Sequence, residues 1–255
     1  MNPGLYAQLA RIEDRHWWHV SRRKQVEDVL SRLLPGKTSW GLDIGCGTGG
    51  NRNVLAKYCV KAVGLDNSSD ALKWATHQWS RSELIRGDAN HLDKLFLPET
   101  FGLVTVFHVL YHQWIRDEGD ILKQAFRVLK PGGYLVITEP AFPCLTRRHD
   151  LQDMGKTRYR LGSFQRMLRE AGFEIIMGTY VSAVSFLPAF VIKWVERLGK
   201  INDSGADDLV EELELPPDWV NQLLLGIMGI ERKIICWTGY IPVGTSLLCV
   251  ARRPE

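Results

Sequence analysis

Residues 39–50, SWGLDIGCGTGG, constrain the fold of this chain more than any other stretch. Residues 40–44 read as a buried strand that runs into a turn with Gly45, Gly47 and Gly49 at alternate positions. Residues 51–58 then read as a helix. Glycine permits positive φ and carries no Cβ, so a turn of this kind brings bare backbone close to a ligand. The first N–H groups of the following helix point at the same place.

Two ligand classes use such a turn. Dinucleotides take G-x-G-x-x-G, in which the third glycine packs helix against strand. Here the third glycine comes one position early, and the segment reads D-x-G-x-G-x-G from Asp43. Further signals follow in order. Residues 61–66, KAVGLD, are a second apolar run that ends on an acid, Asp66, placed to accept hydrogen bonds from ribose hydroxyls. Asn67, Ser68 and Ser69 then offer caps for a helix starting near Asp70. Gly87-Asp88-Ala89-Asn90 follows a short apolar run. Residues 101–110, FGLVTVFHVL, read as a fully buried strand, and residues 127–139 as a helix end, a Pro-Gly-Gly turn and a strand.

These five motifs, at this order and spacing, resemble those of the class I S-adenosylmethionine-dependent methyltransferases, small-molecule type. The resemblance implies a Rossmann-like, doubly wound seven-stranded sheet with its last strand antiparallel. It implies S-adenosyl-L-methionine as cofactor and S-adenosyl-L-homocysteine as product. By the same resemblance Asp43, Gly45, Gly47 and Gly49 wrap the methionine and ribose. Asp66 and Asn67 take the ribose, Asp88 and Ala89 the adenine, and His108 forms a cofactor wall.

Strands and helices alternate over residues 40–139, which independently implies a mostly parallel sheet covered on both faces. The flanks divide the chain further. Residues 1–38 read as two N-terminal helices, residues 3–14 and 21–34. Between them lies EDRHWWHVSRRK, residues 13–24, similar to a segment that closes over the cofactor in a group of small-molecule methyltransferases. That likeness implies a lid, with Trp18 covering the cofactor and Arg22 reaching its carboxylate, a task suited to the guanidinium fork. Residues 39–183 with 244–255 form the expected core. Residues 184–243 are a mainly helical insertion before the last strand, expected to cap the substrate side with Phe186 and Trp237 facing the pocket. An acidic linker is expected over residues 202–218, and a helix capped by Ser163 over residues 163–171.

With 255 residues, 45% hydrophobic and 24% charged, the composition is that of a globular protein. A formal charge of +3 is too small to argue for nucleic acid. Five cysteines without a C-x-x-C suit reduced thiols in a cytoplasmic protein. No signal peptide or transmembrane run is expected. Basic residues beside apolar stripes in the insertion leave a peripheral membrane-surface contact open, and a dimer face as well.

Methyl transfer requires a positioned acceptor and often the removal of one proton. His112, Tyr111 and Glu139 are the catalytic candidates, His112 and Glu139 as the base that takes that proton and Tyr111 as a pocket wall. No acid lies in residues 108–114, so no metal is expected. The expected reaction is methyl transfer to a small or lipid-like metabolite by in-line displacement. The alternatives are an RNA or protein methyltransferase, against which the absence of N-P-P-Y or D-P-P-Y speaks, and a non-catalytic cofactor-binding partner subunit.

Overall fold

The computed structural model describes residues 3–146, 154–197 and 214–255. Arg147 and Arg148, and most of the acidic linker expected over residues 202–218, lie outside the described residues.

Seven strands form one sheet in the order β3-β2-β1-β4-β5-β7-β6. They are β1 (Thr38–Ile44), β2 (Cys59–Asp66), β3 (Leu84–Arg86), β4 (Phe101–Phe107), β5 (Leu129–Pro140), β6 (Glu174–Val181) and β7 (Ser246–Arg252). Strands β1 to β5 pair in parallel, and β7 runs antiparallel to both β5 and β6. This is the sheet expected above. All seven residues of β4 are buried, as a central parallel strand covered on both faces demands. The neighbours of β1 are β2 on one side and β4 on the other, so the strand order reverses there and a crevice opens beyond the strands' carboxyl ends.

The N-terminal helices are α1 (Pro3–Ile12) and α2 (Trp17–Leu33). Helix α2 starts four residues earlier than the apolar spacing indicates. His16 caps it, its Nδ1 accepting the N–H of Trp18 at 3.3 Å. Trp18 and Arg22 therefore stand on one helix, one turn apart. After β1 come α3 (Arg52–Tyr58) and α4 (Ser69–Ala75), the latter capped by Ser68 as expected. Helices α5 (Leu92–Leu95) and α6 (Glu118–Val128) follow. Helix α7 (Leu161–Glu170) begins two residues before Ser163, whose hydroxyl donates to Arg160 O at 2.8 Å instead of capping the helix. The insertion supplies α8 (Ala183–Arg197) and α9 (Asp218–Thr238).

The two faces of the sheet carry separate cores. One joins Ile121, Leu122 and Ala125 of α6 and Phe164 and Leu168 of α7 to strand residues such as Leu42 and Val104. The other joins Val26, Val29 and Leu30 of α2 and Ile235 of α9 to Leu103, Val136 and Val250. Helix α9 thus lies against α2, and specific bonds fix it there. Asn221 Oδ1 accepts the N–H of Trp17 at 2.9 Å, and Asn221 Nδ2 donates to Arg15 O at 3.0 Å. Arg232 pairs with Asp28 at 2.8 Å. The outer side of α9 leaves Trp219, Leu223, Ile230 and Trp237 exposed.

Candidate active site

A pocket of about 230 Å³ opens at the carboxyl ends of β1, β2 and β4. Its floor is the glycine turn. Gly45 and Gly47 line it, at φ +70° and +56°. A Cβ on Gly45 would run into Val109, whereas one on Gly47 would meet no protein atom within 4 Å and would stand in the pocket. The bare backbone there is a cradle.

Asp66 closes the cradle. Its Oδ2 accepts the N–H of Gly47 at 2.9 Å and its Oδ1 accepts the N–H of Ser68 at 2.8 Å. Each oxygen keeps acceptor capacity for a ligand hydroxyl. Burial raises the Asp66 pKa, and the N–H bonds oppose the rise. Asn67 lies next to it on the pocket's edge. Farther along, Asp88 and Ala89 line the wall. Burial works against the Asp88 anion, but N–H bonds from Asn90 prevail and hold its pKa low.

Two residues of the glycine motif lie elsewhere. Asp43 is wholly buried beneath the turn, accepting Thr105 Oγ1 at 2.7 Å and Asn51 Nδ2 at 3.3 Å. Burial pushes its pKa up to about 6. Gly49 packs on Trp79, whose indole donates to Gly49 O at 3.0 Å. Asp43 and Gly49 therefore hold the turn's shape and do not line the pocket.

The N-terminal segment supplies the opposite wall. Leu5, Tyr6 and Leu9 of α1 and Trp18, His19 and Arg22 of α2 line the pocket. The Arg22 guanidinium sits 4.8 Å from the Trp18 ring and 5.6 Å from that of Phe107. Burial and the neighbouring Arg23 lower its pKa to about 10, still cationic at neutral pH. Its Nε is buried without a protein partner. A cationic fork inside a pocket otherwise short of positive charge fits a ligand carboxylate.

His108, Tyr111 and His112 form the wall after β4. The strand ends at Phe107, three residues sooner than the apolar run indicates, because His108 turns to φ +58°. The His108 ring meets Trp18 edge to face at 5.0 Å. Burial, with Arg22 and Arg158 nearby, holds its pKa well below the ordinary value and keeps it neutral. His112 is stacked between Tyr111 and Trp114, both 4.0 Å away.

Glu139 is not a pocket wall. Its buried carboxyl group accepts the N–H groups of Val109, Leu110 and Tyr111 at 3.1, 2.9 and 3.3 Å, which ties down the loop after β4. This engages its oxygens away from the pocket, against the role of proton-accepting base expected above. Among the described residues, none of the insertion lines the pocket. Phe186 packs on Phe142 at 5.3 Å and Trp237 is 89% exposed. Among the described residues no group of three His, Cys, Asp or Glu could hold a metal ion. No described helix is long and apolar enough to cross a membrane.

Glu13 and Thr48 were not singled out from the sequence, yet both line the pocket and bond to each other. Tyr6 was also missed. It stands beside Leu5 and Leu9 on α1, so the amphipathic spacing of that helix was the available signal.

Residues 42–137 match the family model described as Methyltransferase domain. That stretch is similar to a methyltransferase domain, and the strand order of the sheet is that of the class I methyltransferase fold. Among curated relatives, a Mycolicibacterium smegmatis protein named as a probable S-adenosylmethionine-dependent methyltransferase is 26% identical over 68% of this chain and 63% of its own length. The demethylmenaquinone methyltransferase of Lactiplantibacillus plantarum is 34% identical over 51% of this chain and 53% of its own length. The chain thus spans less than two thirds of either relative. Among solved structures, a chain from the complex of the Haloferax volcanii Trm112 methyltransferase activator with a methyltransferase superposes over 98% of this chain and 94% of its own, with TM-score 0.62 and 20% identity. That likeness shows the fold. The pocket described above lies at the carboxyl edge of the sheet, and Gly47, Asp66, Asp88 and Arg22 line it.

Proposed function

We propose that this chain transfers a methyl group from S-adenosylmethionine to a small-molecule acceptor. The observation that carries this reading is the convergence of Gly47, Asp66, Asp88 and Arg22 on one pocket beneath α1 and α2. When bound, the cofactor supplies an activated methyl group on a sulfonium sulfur.

The chain's own residues then have separate tasks. Gly45 and Gly47 give backbone approach. Asp66 accepts from the ribose hydroxyls and Asp88 from the adenine amino group. Arg22 receives the carboxylate through its terminal nitrogens. Trp18, His19 and the α1 face exclude water from that end of the pocket.

The acceptor belongs against His108, Tyr111 and His112, where neutral His108 and the Tyr111 hydroxyl can orient a polar group and the stacked rings hold an apolar body. Two features support a small acceptor. The wall is enclosed by α1 and α2, and relatives carry names for small-molecule work, such as phosphoethanolamine N-methyltransferase and trans-aconitate 2-methyltransferase. Helix α9 acts as a buttress for the lid, through Asn221 and Arg232, instead of as a substrate cap.

Calorimetry with S-adenosylmethionine, followed by an S-adenosylhomocysteine release assay across a panel of small carboxylates, amines and quinols, tests the reading. Micromolar cofactor binding with release on at least one acceptor is expected. Absence of cofactor binding would overturn it, and binding with release only on RNA or protein acceptors would overturn the acceptor class.

A further inference from the structure

A second, smaller cavity of about 10 Å³ lies behind the main pocket. It is bounded by α2, β5, β7 and α9, and it shares Trp18, Arg22 and His108 with the main pocket. Among the described residues, a few buried side-chain nitrogen or oxygen atoms lack a hydrogen-bond partner. Four of them, Arg22 Nε, Gln25 Nε2, His108 Nε2 and Thr138 Oγ1, belong to residues lining this one cavity. Gln25 and Thr138 are only 4% and 2% exposed. Native interiors leave few such groups unpaired, so four around one void call for a shared partner.

We propose that this cavity is an internal water site, and that Gln25 and Thr138 are positioning residues which act through that water on Arg22 and His108. Size selects the ligand. A void of this volume holds about one water, which needs roughly 10–15 Å³ on the same measure, and it is too small for a carboxylate or phosphate.

The donor set agrees. Arg22 Nε–H can only donate, the Thr138 hydroxyl can donate or accept, and the neutral His108 ring offers one N–H and one bare nitrogen. A single water, with two donors and two lone pairs, can serve them together with the Gln25 amide.

The position matters because Thr138 already holds the other end of His108. The backbone N–H of His108 donates to the backbone carbonyl of Thr138 at 2.8 Å. His108 sits at φ +58°, a conformation a non-glycine residue keeps only when its surroundings fix it. Met228 and Glu231 of α9 close the far side. Glu231 has its carboxylate engaged by the N–H groups of Ser182 and Ala183, both at 2.7 Å.

This inference rests on the reading of Arg22 as the residue that receives the cofactor carboxylate, and its test separates the two. The full chain is crystallised with S-adenosylhomocysteine at a resolution that shows waters. Its affinity is measured by calorimetry for S-adenosylhomocysteine and for 5′-methylthioadenosine, which shares the adenosine but has no carboxylate. An ordered water within about 3 Å of at least three of the four atoms is expected.

Thr138→Val, which keeps the shape and removes the hydroxyl, should weaken S-adenosylhomocysteine about threefold to tenfold and shift 5′-methylthioadenosine less than about twofold. Thr138→Ser should restore binding, and Gln25→Met should act in the same direction as Thr138→Val. A dry cavity overturns the proposal, as does a Thr138→Val or Gln25→Met protein that binds both ligands normally or weakens both alike. Arg22→Met is the control. If it leaves S-adenosylhomocysteine binding unchanged, the Arg22 reading fails. If it weakens that ligand selectively while Thr138→Val and Gln25→Met do not, the Arg22 reading stands and the water relay fails.

Discussion

Thr48 Oγ1 donates to Glu13 Oε2 at 2.8 Å, a buried bond that joins the glycine turn to the N-terminal segment across 35 positions of chain. Gln78 Nε2 donates to the same carboxylate at 3.3 Å. Arg23 secures the segment from the other side, through Glu13 O at 2.7 Å and Asp14 at 3.1 Å. The wall formed by α1 and α2 is thereby pinned to the glycine turn.

The bond gives the first prediction. Thr48→Val leaves the Glu13 carboxylate without its buried donor, at a cost of about 1–3 kcal/mol. Cofactor affinity should fall roughly threefold to tenfold by calorimetry, and limited proteolysis should cut the first two helices sooner. Unchanged affinity and unchanged cleavage together would show that the pin is not needed.

Gly47→Ala places a methyl group in the pocket and a non-glycine residue at φ +56°. The left-handed conformation costs about 1–2 kcal/mol, which the fold can absorb. S-adenosylmethionine affinity should drop by more than about tenfold while the circular dichroism spectrum stays native. Native affinity would place the cofactor elsewhere.

Asp66 serves the unliganded fold, since both its oxygens accept backbone N–H groups. Sequence alone suggests that Asp66→Ala changes only binding. The structure adds the loss of the turn's internal bonds. Affinity should fall more than about tenfold, and the unliganded melting temperature should drop by roughly 2–4 °C for each kcal/mol lost. A binding defect with no thermal shift would mean that Gly47 and Ser68 find other acceptors.

Burial raises the Glu139 pKa to about 8 from 4.5, against three N–H bonds that oppose the rise. The folded protein therefore keeps a proton that the unfolded chain gives up. The stability this proton brings is complete below pH 4.5 and is lost as pH rises through about 8. Wild type should lose melting temperature across that window, while Glu139→Gln, which cannot ionise, should lose less. Parallel melting curves for the two proteins would remove Glu139 as the titrating group.

Asn221 tests the buttress. Asn221→Ala removes the acceptor for Trp17 N–H and the donor to Arg15 O. Cofactor affinity should weaken about twofold to fivefold although Asn221 lies outside the pocket. No change in affinity with a lower melting temperature would leave α9 a purely structural helix.

Much of the site was legible from local order. A strand's last residue is set by where its apolar run stops, and parallel strands bring those ends to one edge. Hence Gly45, Gly47, Asp66 and Asp88 could be placed together without coordinates. The helices of the insertion were legible through apolar periodicity and turn residues, whereas the antiparallel direction of the last strand was implied only by the resemblance to the methyltransferases.

Direction was not legible. Asp43 and Gly49 belong to the same motif as Gly45 and Gly47, yet one goes under the turn and the other against Trp79. Side-chain direction there follows from the turn's φ values and from what packs behind it. Periodicity likewise shows that α9 is amphipathic without saying which neighbour buries which face. Tertiary packing gave Ile235 and Met228 to the interior and left Trp237 outside. The Glu13–Thr48 bond and the cavity shared by Gln25, His108 and Thr138 join residues far apart in the chain. Such pairings exist only once the sheet and both N-terminal helices are in register, because a hydrogen bond depends on distance and angle, which no local pattern encodes.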